Sequence, residues 1–150
     1  MEKAIAEFDP DLKIPITYLT LNKKTSVKLF YEETNNLSNC PPGTVIQDEI
    51  TCENQRDFYL VSQKTTQGVA QPTHYYISYD NKEIDEKDIQ TLVYRLCYLY
   101  YNWTGAVRIP APCQNVKKLI RLITEKCSDK NNTTIPAERL YKQLKCMYYL

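Results

Sequence analysis

This sequence of 150 residues has no surplus of charge of either sign and a single histidine, His74. Lys plus Arg number 19 against 18 Asp plus Glu, a net charge of +1, so any sign of a nucleic-acid partner must come from where the cations stand. No apolar run approaches the roughly 18 residues that a membrane span needs. Nor does an apolar leader open the chain, which argues against a membrane partner and for a cytoplasmic or nuclear setting. The six cysteines, at 40, 52, 97, 113, 127 and 146, include no CxxC pair and read as reduced, scattered thiols. The same setting leaves the sequons at Asn102, Asn131 and Asn132 silent. One histidine without cysteines at ligand spacing cannot complete a zinc site. Internal repeats and low-complexity segments are absent as well.

What is there suits one domain, since 43% hydrophobic residues can fill a core. The chain is organised around residues 94–123, where two helix-period segments meet across a short link rigidified by prolines. Ile89, Leu92, Val93, Leu96, Cys97 and Tyr100 recur at three- and four-residue spacing, which predicts one face of a helix. Asp85, with Asp88 three residues on, resembles a capping box at its start. Residues 102–105 stop it. Residues 106–109 read as extended because Pro110 disfavours helix before it. Pro112 suits the first turn of a second helix, with Val116, Leu119, Ile120 and Ile123 as its apolar face and Lys117, Lys118 and Arg121 opposite.

Upstream, residues 1–8 read as the tail of a helix, residues 14–21 and 27–31 as strands joined by the basic turn NKKTS, and residues 35–44 as loop. Residues 45–50, 57–62 and 75–79 read as three further strands, the last two joined by the polar loop QKTTQGVAQPT. A polar loop, SDKNNTT, and a short helical segment from Pro136 toward Cys146 close the chain. Strands followed by two helices give an α/β class.

The motifs YYNW, VRIPAPCQ and KKL, with QPTHYYISYD, SQKTTQG, DFYLVS, ITYLTLNKKTSVKLF and the terminal YYL, resemble the C-terminal part of the PIWI domain of Argonaute proteins, nearer the Piwi branch. The likeness is weakest over residues 34–54 and 128–145. It implies that residues 1–150 are the C-terminal portion of an RNase H-like PIWI domain: a mixed sheet with residues 14–21 as its last strand and two principal helices packed on it. It also implies small guide RNA and target RNA as partners, together with the rest of an Argonaute protein, including its MID domain, in RNA-mediated silencing. The alternative is a stand-alone, non-catalytic RNA-binding or protein-interaction module derived from such a domain.

The intact family cuts RNA with magnesium ions held by acidic residues. By the resemblance those residues lie upstream of this chain, so no cofactor is expected for the chain alone and no nuclease activity. Asp9, Asp11, Asp57, Asp80, Asp85 and Asp88 match none of the family's acidic motifs and read as caps, turn formers or surface charges. His74 reads as structural. Lys117 stands at the position of the family's active-site histidine. An ammonium has no lone pair for a metal, so Lys117 either pairs with a carboxylate or the scissile phosphate, or displaces the second metal. Pairing keeps its charge at least cost.

The family's guide contacts carry over to Lys23, Lys28, Gln67, Tyr100, Arg108 and Gln114, whose ammonium, guanidinium, amide and phenol groups suit an RNA backbone. Without the resemblance Lys23 and Lys28 read as a solvated hairpin and Tyr100 as a core aromatic. Gln63 and Gln71 depart from the family pattern of basic or ring side chains. Tyr148, Tyr149 and Leu150 match the tail that tucks into the MID domain near the guide's 5′ phosphate; a frayed tail is the alternative.

Overall fold

The structure, a computed structural model, describes Glu7 and residues 14–127. The rest of the expected first helix, the polar loop 128–134, the helical segment beyond it and Tyr148, Tyr149 and Leu150 lie outside the described residues. Among the described residues six strands precede two helices: β1 (Thr17–Asn22), β2 (Phe30–Glu33), β3 (Asn36–Asn39), β4 (Thr44–Ile46), β5 (Asp57–Val61) and β6 (Thr73–Asp80), then α1 (Glu86–Leu96) and α2 (Ala111–Cys127). Four strands form a sheet in the order β1-β6-β5-β4, and each described pairing is antiparallel.

The sequence DFYLV makes β5 the centre, because it is aromatic and β-branched and is buried at every position. Its alternation sends Phe58 and Leu60 to one face, where Tyr75 of β6 stacks on Phe58 with ring centroids 5.1 Å apart. Ile89 and Val93 of α1 complete that cluster, each contributing about 1.5–3 kcal/mol by burial. On the other face Val61 packs with Leu29, Cys40 and Ala70.

The β5–β6 register sets Tyr59 opposite His74, their rings stacked with centroids 4.0 Å apart. His74 Nε2 lies 2.5 Å from Asp57 Oδ2, and both residues are buried. Asp57 is therefore neither a cap nor a surface charge. Its place on the central strand brings it within reach of the ring, and a buried carboxylate needs such a partner.

Asp85 caps α1, its Oδ1 accepting from the Lys87 amide at 3.1 Å. Ile89, Val93, Cys97 and Tyr100 are buried, whereas Leu92 lies at the margin of the apolar stripe and is 56% exposed. Pro112 falls in the first turn of α2, where its missing N–H costs nothing. The apolar face expected for α2 is only partly covered, with Val116 54% and Ile120 57% exposed.

Residues 30–39 depart from the expectation of one strand and a loop. They form a hairpin in which β2 pairs with β3 across Thr34 and Asn35, at φ 48° and 64°. Positive φ at both central residues is the signature of a tight two-residue hairpin turn, which composition alone does not reveal when no glycine is present. The strand expected over residues 45–50 is the shorter β4. Residues 106–109 belong to no strand of either sheet.

Candidate nucleic-acid interface

The link between α1 and α2 runs past the ends of β5 and β6 and is held there by hydroxyls. Ser62 donates to the Val107 carbonyl at 2.8 Å and Thr73 to the Arg108 carbonyl at 3.1 Å, while the Val107 amide donates to Cys97 O at 2.9 Å. These bonds take the place of a strand ladder and satisfy backbone groups of a link that bends at Arg108 and Ile109 and is not the extended run expected over residues 106–109.

They also present Arg108. Its guanidinium donates to Gln71 Oε1 at 3.1 Å, to the Pro72 carbonyl at 3.3 Å and to the carbonyl of Lys23. Arg108 thus ties the segment after β1 to the entry of β6, and its own burial pulls the guanidinium below the usual arginine range.

Beside it a cleft of about 570 Å³ opens between the end of β1 and the start of α2, lined by Leu21, Asn22, Lys23, Lys24, Ile109, Pro112, Cys113, Val116 and Lys117. Lys117 stands beside Lys23, and its ammonium holds that of Lys23 below the usual lysine range; burial and the charges of Arg108 and Lys24 act in the same direction. Like charges gathered in this way favour an anion that screens them. Magnesium asks for oxygen ligands, carboxylates above all. The cleft lining includes no carboxylate, and among the described residues no group of three His, Cys, Asp or Glu side chains is placed to hold a metal. The described residues therefore fit an anion and not that ion.

A second groove of about 830 Å³ runs between the β5–β6 loop, through Gln63, Lys64 and Thr66, and the link, through Tyr100 and residues 102–107. Tyr100 is buried, with Lys118 Nζ 5.0 Å from its ring centroid. A hydrogen bond from Lys118 brings the Tyr100 hydroxyl below the usual phenol range against the opposing effect of burial; Asn102 and Gln114 also contact it.

The structure thus gathers five of the expected residues around one end of the sheet. Lys23 and Lys117 share the first cleft, Arg108 braces it, and Tyr100 lines the second groove with Gln114 in contact with its hydroxyl. Lys28 and Gln67 are exposed and line neither opening; Leu150 lies outside the described residues. Reading the sequence missed Lys24 and Lys118 as members, although the doublets Lys23-Lys24 and Lys117-Lys118 carried the signal. It also missed Ser62 and Thr73, whose role depends on a neighbour far along the chain.

The family model described as Piwi domain matches residues 1–128. Piwi-like protein 1 of Gallus gallus is 38% identical over 126 residues, 84% of this chain and 14% of that protein. The crystal structure of Drosophila Piwi superposes with a TM-score of 0.67 at 34% identity, over 81% of this chain and 16% of that one. An Argonaute of Kluyveromyces polysporus, solved with a guide RNA, superposes with a TM-score of 0.67 at 25% identity, over 79% of this chain and 16% of that one. The chain spans about a seventh of the length of such relatives, and its mixed α/β architecture is the RNase H-like one of their PIWI lobes. By the extent of these matches, the chain belongs to the Piwi domain family.

Proposed function

We propose that this chain forms the C-terminal portion of a PIWI domain and supplies backbone contacts to a small guide RNA, of the piRNA class, in RNA-mediated silencing. The observation that carries the reading is the cleft in which Lys23, Lys24 and Lys117 meet, with Arg108 braced behind it. Ammonium groups converging without a carboxylate suit a phosphodiester, and they read charge and spacing, not base identity. Tyr100 and Gln114 add hydrogen-bonding groups at the neighbouring groove, while Lys28 and Gln67 extend the cationic and polar surface. The solved relative with a guide RNA supports this partner class. Target RNA and the remaining Argonaute domains, MID included, complete the partner set, in the cytoplasm or nucleus.

Arg108 acts in this reading mainly through its neighbours. With donors already committed to Lys23, Gln71 and Pro72, it fixes the backbone from which Lys23 projects. Lys117 contributes charge where the family's histidine would stand, and pairs with phosphate.

Single-stranded RNA binding by the intact protein, measured across a salt series, tests the proposal. Each phosphate contact removed should lower the salt slope of log affinity by roughly 0.7, so Lys23→Ala and Lys28→Ala should each weaken binding to unrelated sequences about equally. Unchanged affinity and slope in both variants would rule the reading out.

A further inference from the structure

Asn39 ends β3 with its carboxamide turned to the loop between β5 and β6. Its Nδ2 donates to the Gly68 carbonyl at 2.8 Å and its Oδ1 accepts from the Ala70 amide at 2.8 Å. A primary amide carries donor and acceptor side by side, so it clasps a stretch of chain much as a neighbouring strand would. A carboxylate or hydroxyl of similar size matches only part of that pattern.

The clasp has a firm base. Cys40, the next residue, is buried with Leu29, Val61 and Ala70, and the hairpin register sets Asn39 opposite Phe30. The held loop, by contrast, has no strand pairing of its own. Gly68 takes φ +77° with open space where a Cβ would stand, so it serves a change of chain direction and not a close approach. At the other extremity the loop is tied where Thr25 donates to the Pro72 carbonyl at 3.2 Å and where Arg108 reaches the same oxygen. Between Ser62 and the Asn39 clasp lies the arch that carries Gln63, Lys64 and Thr66 into the wall of the second groove, with Gln67 at its end.

We infer that Asn39 is a positioning residue for RNA: by gripping Gly68 and Ala70, its carboxamide sets the direction in which Gln67 meets the backbone of the bound strand. Asn39 itself touches no RNA. The inference rests on the RNA-binding reading above.

Its test is a double-mutant cycle on the intact protein, using a labelled single-stranded RNA, with amide hydrogen exchange as a readout independent of RNA. Asn39→Leu keeps the size and removes both bonds. Asn39→Asp keeps the acceptor for Ala70 and sets an oxygen against the Gly68 carbonyl, which provides a second variant if the first folds poorly. Exchange at Ala70 should quicken by about tenfold or more in Asn39→Leu. Gln67→Ala should weaken RNA binding by about 3- to 10-fold, the range of one hydrogen bond. Asn39→Leu should cost a similar factor alone, yet less than about twofold in the Gln67→Ala background, because the two changes act on one contact. Losses that multiply, or full affinity in Asn39→Leu while Gln67→Ala is weakened, would overturn the positioning role and leave the RNA reading intact. No effect of Gln67→Ala would remove the contact at Gln67 and the inference together.

Discussion

Lys23 and Lys117 come from opposite parts of a chain whose net charge is +1, yet the fold sets them side by side. That placement makes binding sensitive to pH. In the free protein the neighbouring ammonium of Lys117 first, then burial and the charges of Arg108 and Lys24, hold Lys23 below the usual lysine range, so it gives up its proton earlier on the way to alkaline pH than an ordinary lysine. A bound phosphate favours the protonated form. Affinity is therefore greatest below the Lys23 pKa of the free protein and declines as pH rises through it. We expect binding of a base-stable 2′-O-methyl RNA to weaken as pH rises into the alkaline range, and Lys117→Ala to move the fall to higher pH besides lowering the affinity. Identical pH profiles in the two proteins would show that the two ammoniums do not interact. His74, the residue that invites a catalytic reading most readily, is buried against Asp57 and between the rings of Tyr59 and Tyr76, where substrate has no access.

Among the elements, the β2–β3 hairpin is the one whose local sequence agrees least with its geometry. Its turn holds Thr34 at φ 48° and Asn35 at φ 64°. Asparagine tolerates this region and β-branched threonine does not, the left-handed conformation costing an L-residue about 1–2 kcal/mol. The turn type favours Asn-Gly. Thr34→Asn combined with Asn35→Gly should therefore stabilise the protein by about 1 kcal/mol, visible as a Tm higher by about 2–4 °C. A lower Tm would mean that the turn is held by something other than its backbone preference. The four-stranded sheet, separate from this hairpin, is tied more conventionally. Arg56, just ahead of β5, donates to Glu86 at 2.9 Å, to Asp80 at 3.2 Å and to the Ile84 carbonyl at 2.9 Å, and so fastens the entry of α1 to the end of β6.

For the molecule as a whole, the described surface is unevenly covered. β1 is a sheet edge with Tyr18 54% exposed, and α2 leaves Val116 and Ile120 in solvent. Apolar faces and open edges of this kind associate when nothing covers them. Produced by itself, the 150-residue chain should bind hydrophobic dye and elute from a sizing column largely as aggregate. Val116→Lys with Ile120→Lys should raise the monomer fraction several-fold while leaving the circular dichroism spectrum unchanged. A dye-silent monomer with a sharp cooperative melt would contradict this and describe a self-sufficient small domain.

Local pattern was enough to find the two helices, the Asp85 cap, Pro112 in the first turn of α2 and core strands over residues 57–62 and 75–79, the second of which extends to Thr73–Asp80, because each depends on residues a few positions apart: helical periodicity, a capping oxygen, alternation of side chains. The motifs were also enough to recognise the family. The hairpin over residues 30–39 escaped, since its turn lacks the glycine that would announce it and its pairing is a contact between strands. So did the buried role of Asp57, the exposure of Leu92, the meeting of Lys23 with Lys117 and the clasp of Asn39 on Gly68 and Ala70. These depend on how the chain crosses the sheet and which faces it covers, and two residues that never approach along the sequence acquire a common environment only when the strands and helices that carry them have packed.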